Sequence, residues 1–334
     1  MAMPNELSGE ERLIVRYFRP LAKHPAALGL LDDAAALEPP AGCDLVLKID
    51  GLISGVHFFP DDPADAVAKK ALRVNLSDLA AKGARPLGFL LALALPREIG
   101  PAWLEPFSHG LGEDAELFGC PLLGGDTDCT PGPLTISITA VGAVSHGKMV
   151  RRSGARPGDR VVVTGTIGDA ALGVVLRRDP TVADRLKLSR AQQDYLKSRY
   201  LLPQPRNAIF EALRTSATAA MDVSDGLAGD LGKMCQASGV TADVAVARVP
   251  LSDAARAASN SEPALMETIL TGGDDYEVLA TLPADAVDAF CRAAQAANTK
   301  ISEIGTIVAG EGTASFIDER GKKLRLARPS FSHF

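Results

Sequence analysis

The aspartates are the residues of this sequence whose positions first speak of chemistry. Asp32-Asp33 follows the apolar run LGLL, Asp50 ends DLVLKID, Asp78 lies in RVNLSDLAAKGA, and Asp126 follows LLGG. Asp222 and Asp225 fall in MDVSDGL, and Asp274-Asp275 falls in TGGDDYE. All stand beside apolar or glycine-rich stretches rather than in charged surface runs. A carboxylate next to core segments is costly unless a cation meets it. Few Lys or Arg accompany these aspartates, so bound Mg²⁺ is the expected partner, an ion that takes hard oxygen ligands and bridges to nucleotide phosphates. No His/Cys spacing of the zinc type is present. Gly124 and Gly125 of LLGGDTD would let a phosphate or metal approach the backbone closely. VVVTGTIGDAA reads as strand, glycine turn and helix start, an arrangement able to receive an anion on backbone N–H groups. It carries no GK[ST], which excludes a Walker-type loop. The glycine-rich fingerprint and V-A-I-K lysine of protein kinases are also missing.

Helical and strand patterns alternate along the chain and predict an α/β fold. Asp44 to Asp50 alternates as a strand, and Leu134 to Val144 has the pattern of a strand buried on one face. Asp62-Pro63 looks like a helix cap followed by proline at the first helical position, with the helix running to Lys82 and stopping at Gly83. RRSGARPGDR breaks the periodicity near Arg151, which places a domain boundary between residues 1–150 and 151–334. Beyond it, a strand at VVVTG, a helix from near Asp169, a polar helical stretch over 181–199, a helix after Asp225 and a weak β pattern are expected.

The chain has 334 residues, 46% of them hydrophobic, which is enough for two domains. Net charge is -6 with both signs mixed, so no basic stripe for nucleic acid exists. Five scattered cysteines without a CxxC pair suit a reducing compartment. The N-terminus has no apolar signal core, and the longest apolar run, Leu87 to Leu95, is too short to span a bilayer. A cytoplasmic protein without nucleic-acid or membrane partners is therefore expected.

Taken in order, IDGLISGVHF, LRVNLSDLAAKGARP, LLGGDTD, RRSGARPGD, VTGTIGDAALG, MDVSDGL, TGGDDYE and the terminal SHF resemble the motif series of the thiamine-monophosphate kinase family. The resemblance runs from near Leu31 to Phe334. The wider superfamily includes aminoimidazole ribonucleotide synthetase and selenophosphate synthetase, and GVHF with NLSDLAA points to the thiamine branch. The resemblance implies a two-domain synthetase-like fold of α/β (α+β) class. Its N-terminal mixed sheet with helices would form the interface of a homodimer, and a C-terminal α/β domain would complete the site. It implies transfer of the γ-phosphoryl group of ATP to thiamine monophosphate with several Mg²⁺ ions.

Carried over by position, Asp32, Asp50, Asp78, Asp126 and Asp222 would hold Mg²⁺, and Asp225 a further ion. Gly125, Asp126, Arg152 and Ser224 match ATP-contacting positions; His57, Asp274 and Phe331 match substrate positions; and Asp126, Arg152 and Asp222 would be catalytic. The sequence departs from the family pattern at Leu31 (usually Gly), at Lys48-Ile49 (usually hydroxyl residues), at Asp274 (usually Glu) and at TDCTPGP after Asp126. Strand alternation puts Lys48 on the side of Asp50, where its ammonium would replace part of one metal's charge. Three other readings stay open: another ATP-dependent enzyme of the superfamily, an inactive nucleotide-binding sensor, and a two-metal phosphohydrolase.

Overall fold

A computed structural model describes residues 8–327 and Ser330. Phe331 lies outside the described residues. The chain divides into two compact units, one made of residues up to Leu79 with Arg85–Gly147, the other of Ala80–Ala84 with the chain from Lys148 onward. Each carries its own β-sheet with helices. Among the described residues no helix is long and apolar enough to cross a membrane.

The first unit opens with the short helix α1 (Gly9–Leu13) and holds β1 (Cys43–Ile53), β2 (Arg85–Pro96), β3 (Leu122–Thr130) and β4 (Thr135–Ser145) in the order β1-β4-β2-β3. The β2–β3 pair is parallel and the others antiparallel, so the sheet is mixed. The alternation read in DLVLKID is real. Val46 and Leu52 are buried, whereas Leu45, Leu47 and Ile49 are exposed. One face of the sheet is thus covered and the other open. α2 (Ala64–Ala81) covers it with Leu72, Leu76 and Leu79 wholly buried, and α3 (Pro101–Leu117) adds Phe107 and Leu111. A buried bidentate pair ties the two helices together, with Arg73 Nε and Nη2 donating to Asp114 at 2.6 and 2.9 Å. α2 stops where Gly83 takes φ +68°, a conformation that suits glycine.

The second unit centres on a six-stranded sheet. Its order is β10 (Ala314–Ile317), β7 (Val240–Ala245), β9 (Ile301–Ala309), β5 (Arg160–Thr164), β8 (Val278–Leu282) and β6 (Ala219–Asp222). Helices α4 (Asp169–Arg178), α5 (Val182–Arg185), α6 (Arg190–Leu201), α7 (Phe210–Ser216), α8 (Leu227–Ser238), α9 (Asp253–Ser261), α10 (Leu265–Thr271) and α11 (Val287–Ala296) complete it. β8 runs antiparallel to both β5 and β6. The ends of β5 and β6 and the start of β8 therefore gather at one end of the sheet, bringing VTGTIGD, MDVSDG and TGGDDYE together. The polar 181–199 stretch resolves into α5 and α6, and α6 is anchored by buried Leu196, Arg199 and Tyr200.

Candidate active site

In the first unit the sheet and α2 converge on Lys48. Its Nζ lies 3.0 Å from Asp50 Oδ1 and 2.8 Å from Asp78 Oδ2. Lys48 and Asp50 are two residues apart on the covered face of β1, and Asp78 reaches them from the last turns of α2. Burial alone would lower the Lys48 pKa, but the charges of Asp78 and then Asp50 outweigh it and raise it. The ammonium is therefore a fixed positive charge at neutral pH.

Asp126 is placed elsewhere. The register aligns Asp50 with Ile138, Leu91 and Gly125, and Gly51 with Ser137, Ala92 and Asp126. Residues opposite one another in a ladder share a face. Asp126 thus belongs to the open-face row and Asp50 to the covered-face row, on opposite edge strands. With strands about 4.8 Å apart, three steps separate the two edges by on the order of 14 Å. Asp32 follows a 3₁₀ segment, Pro25–Leu30, that packs against β3, so it sits with the Asp126 edge. Among the described residues no three His, Cys, Asp or Glu side chains gather as around a metal. Gly124 and Gly125, read in the sequence as permitting close approach to the backbone, lie inside strand β3. Gly125 is needed for packing: a Cβ there would lie 1.9 Å from the Leu91 carbonyl oxygen. His57, half-buried in the turn after β1, accepts the Ile53 N–H on Nδ1 at 3.0 Å. That contact assigns the ring proton to Nε2.

In the second unit Asp222 ends β6 and is 4% exposed. Arg152 is exposed in the preceding segment, where the Arg151 carbonyl accepts the Ala220 N–H at 2.9 Å and lays that segment beside β6. Ser224 and Asp225 follow in a loop held by Asp230, whose Oδ2 accepts both backbone N–H groups at 3.0 and 2.9 Å. Lys233 Nζ reaches Asp225 Oδ2 at 2.5 Å and Asp230 Oδ1 at 2.9 Å, so Asp225 already has a cation of the chain's own. The TGGDDYE loop rests directly on this one. Asp274 and Tyr276 donate their N–H groups to the Ser224 and Val223 carbonyls at 2.9 and 2.8 Å. A Cβ at Gly273 would lie 2.2 Å from the Ser224 oxygen. Asp274 (φ 71°) and Tyr276 (φ 50°) are held in the left-handed region, a strain typical of functional loops.

Sequence reasoning passed over what braces these loops. Glu277, wholly buried, accepts from Arg199 Nη2 at 2.9 Å, Arg206 Nε at 2.6 Å and Thr164 Oγ1 at 2.6 Å. Asp275, also buried, accepts the Gly168 N–H at 2.8 Å, and its Oδ1 has no hydrogen-bond partner among the described residues. Burial first, then the nearby charges of Asp169 and Glu277, push its pKa well up against the pull of Gly168 and Arg199. Asp169, at the start of α4, accepts from Thr166, Tyr195 and Ser252 hydroxyls. Within VTGTIGD, read as able to receive an anion, the Gly168 backbone N–H is thus taken by the chain's own Asp275. The only sequence signal for these roles was their position inside quoted motifs.

The two sheet-bearing units and these loops define a class. Residues 31–144 match the family model of AIR synthase related protein, N-terminal domain, and residues 156–318 match AIR synthase related protein, C-terminal domain. Thiamine-monophosphate kinase from Caulobacter vibrioides is 42% identical over 96% of this chain and 89% of its own length. The crystal structure of thiamine-monophosphate kinase from Stenotrophomonas maltophilia K279a superposes with a TM-score of 0.81 at 39% identity, covering 94% of this chain and 96% of that one. AaThiL complexed with AMPPCP and TMP superposes with a TM-score of 0.75 at 29% identity over the whole of both chains. The chain belongs to the thiamine-monophosphate kinase family.

Proposed function

We propose that this protein transfers the γ-phosphoryl group of ATP to the phosphate of thiamine monophosphate, giving thiamine diphosphate and ADP. An oxygen of the acceptor phosphate forms the new bond to the γ-phosphorus. The bond from that phosphorus to the β–γ bridging oxygen breaks, and its electron pair leaves with ADP. The acceptor is already ionised near neutral pH, so neither a general base nor a covalent enzyme intermediate is needed. The obstacle is repulsion between anions. The observation that carries the reading, beyond family membership, is the convergence of Asp50 and Asp78 from strand and helix on one cationic centre.

The donor set fits Mg²⁺ by type, being carboxylate oxygens without His or Cys. Asp32, Asp50, Asp78, Asp126 and Asp222 would hold it, and Asp225 would take a further ion. When bound, Mg²⁺ supplies the positive charge that lets two phosphates approach. Arg152 presents a planar fork suited to phosphate oxygens, and Gly125, Asp126 and Ser224 line the nucleotide in this reading. His57, through its Nε2 proton, and Asp274 would contact thiamine monophosphate, with Phe331 beside the thiamine ring. Asp126, Arg152 and Asp222 act at the phosphates undergoing transfer. Residues 1–150 then form the metal-binding and dimerisation domain, and residues 151–334 complete the nucleotide and substrate site.

Two features of the first unit support a homodimer. Its open sheet face exposes Leu45, Leu47 (68%), Ile49 (61%) and Leu90, an apolar patch that a second copy would cover. The carboxylates are also split between opposite sheet edges, so a second copy joining edge to edge would bring the edge that carries Asp50 beside the edge that carries Asp126. The five cysteines are all free.

The test is ADP release coupled to chromatography of the products, with ATP, Mg²⁺ and either thiamine monophosphate or free thiamine. Thiamine diphosphate formed from the monophosphate alone is the expected result. ATP binding without product would move the function to a nucleotide sensor or another superfamily substrate.

A further inference from the structure

We propose that the Lys48 ammonium is a built-in cation of this site: it holds Asp50 and Asp78 in place of one divalent ion, so the chain takes up one ion fewer than it would with a neutral side chain there. Both aspartate oxygens lie within hydrogen-bond distance of Nζ, at 3.0 and 2.8 Å. The placement is built by the fold, since a strand puts residues two apart on one face and α2 brings Asp78 over that face. The Lys48 side chain is 30% exposed, so the group is withdrawn from bulk water without being sealed off. An ammonium has three donors. Two meet the aspartates, and the third remains for a phosphate oxygen. Two carboxylates and one ammonium leave one negative charge, which attracts a further cation more weakly than a bare carboxylate pair would. Like charges this close otherwise demand an external cation, and Lys48 removes that demand.

The inference rests on the phosphoryl-transfer reading only for the site's purpose; the ion count is independent of turnover. The experiment uses the full chain with a non-hydrolysable ATP analogue and counts bound Mn²⁺ by the electron-spin signal of the free ion. Lys48→Thr is expected to bind one more Mn²⁺ than the unaltered protein, or to bind its ions about ten-fold more tightly. Lys48→Arg keeps the charge and is expected to keep the original count. Equal counts and affinities in Lys48→Thr and the unaltered protein overturn the proposal. Where a variant does not fold, the ¹⁵Nζ resonance of Lys48 in the unaltered protein decides. A signal unmoved by saturating Mg²⁺ supports the resident cation, and a shift to the free-lysine position overturns it. A changed count without thiamine diphosphate formation would leave the Lys48 assignment standing and bring down the kinase reading alone.

Discussion

An ammonium between two carboxylates in the first unit and a carboxylate between two guanidiniums in the second are near mirror images in charge. They differ in access to water. Lys48, Asp50 and Asp78 keep 30%, 36% and 23% of their side-chain surface. Glu277 keeps none, Arg199 keeps 10% and Arg206 keeps 21%. In the sealed cluster the charges answer one another and fix the geometry of the loops around β8. In the open one a net negative charge stays partly exposed, where under the proposed function it would meet phosphates and metal ions. Under the proposed function similar residues would serve as scaffold in one place and as chemistry in the other, with burial separating the two.

The largest effect should come from the sealed cluster. Glu277→Ala leaves buried Arg199 and half-buried Arg206 without their carboxylate and is expected to cost about 3–5 kcal/mol in urea unfolding. A loss under about 1 kcal/mol would show the cluster to be open to water after all. Next is a pH effect. Because the folded pKa of Asp275 lies well above 3.8, its contribution to stability is full below that value and is lost as pH rises through the folded pKa. Asp275→Asn does not titrate, so the unaltered protein should lose ground to it as pH rises above 3.8 toward the raised folded pKa. Unfolding midpoints that move in parallel would refute this.

Lys48→Thr should be milder, costing about 1 kcal/mol in EDTA and regaining most of it with Mg²⁺, because the cluster is partly solvated. The smallest effect is expected for Lys233→Met, about 0.5 kcal/mol or less after solvent screening. Asp230 keeps both backbone N–H groups there whether or not the lysine is present. If Mg²⁺ rescued Lys233→Met as strongly as Lys48→Thr, the contrast between the two regions would fail.

Much of this was readable in the sequence because it is local. The alternation of DLVLKID and the stop at Gly83 are fixed by neighbours within a turn or two, and the α/β class followed from them. The side of Lys48 was set by strand period, and the structure adds its second partner, Asp78. Other features depend on pairing distant in the chain. That Gly125 sits inside a strand, against the Leu91 carbonyl, is a consequence of β2–β3 register. The separation of Asp126 from Asp50 comes from strand order, which composition and spacing do not encode. Glu277 stood inside a recognised motif, but its arginines come from α6 and the segment after it, with no short-range signal joining them.

The most direct test of the whole account follows the phosphoryl group itself. Purified protein with γ-labelled ATP, thiamine monophosphate and Mg²⁺ should place the label in the terminal phosphate of thiamine diphosphate, with none on the protein and none transferred in EDTA. Label appearing only as inorganic phosphate, or trapped on a side chain, would contradict direct transfer at this site.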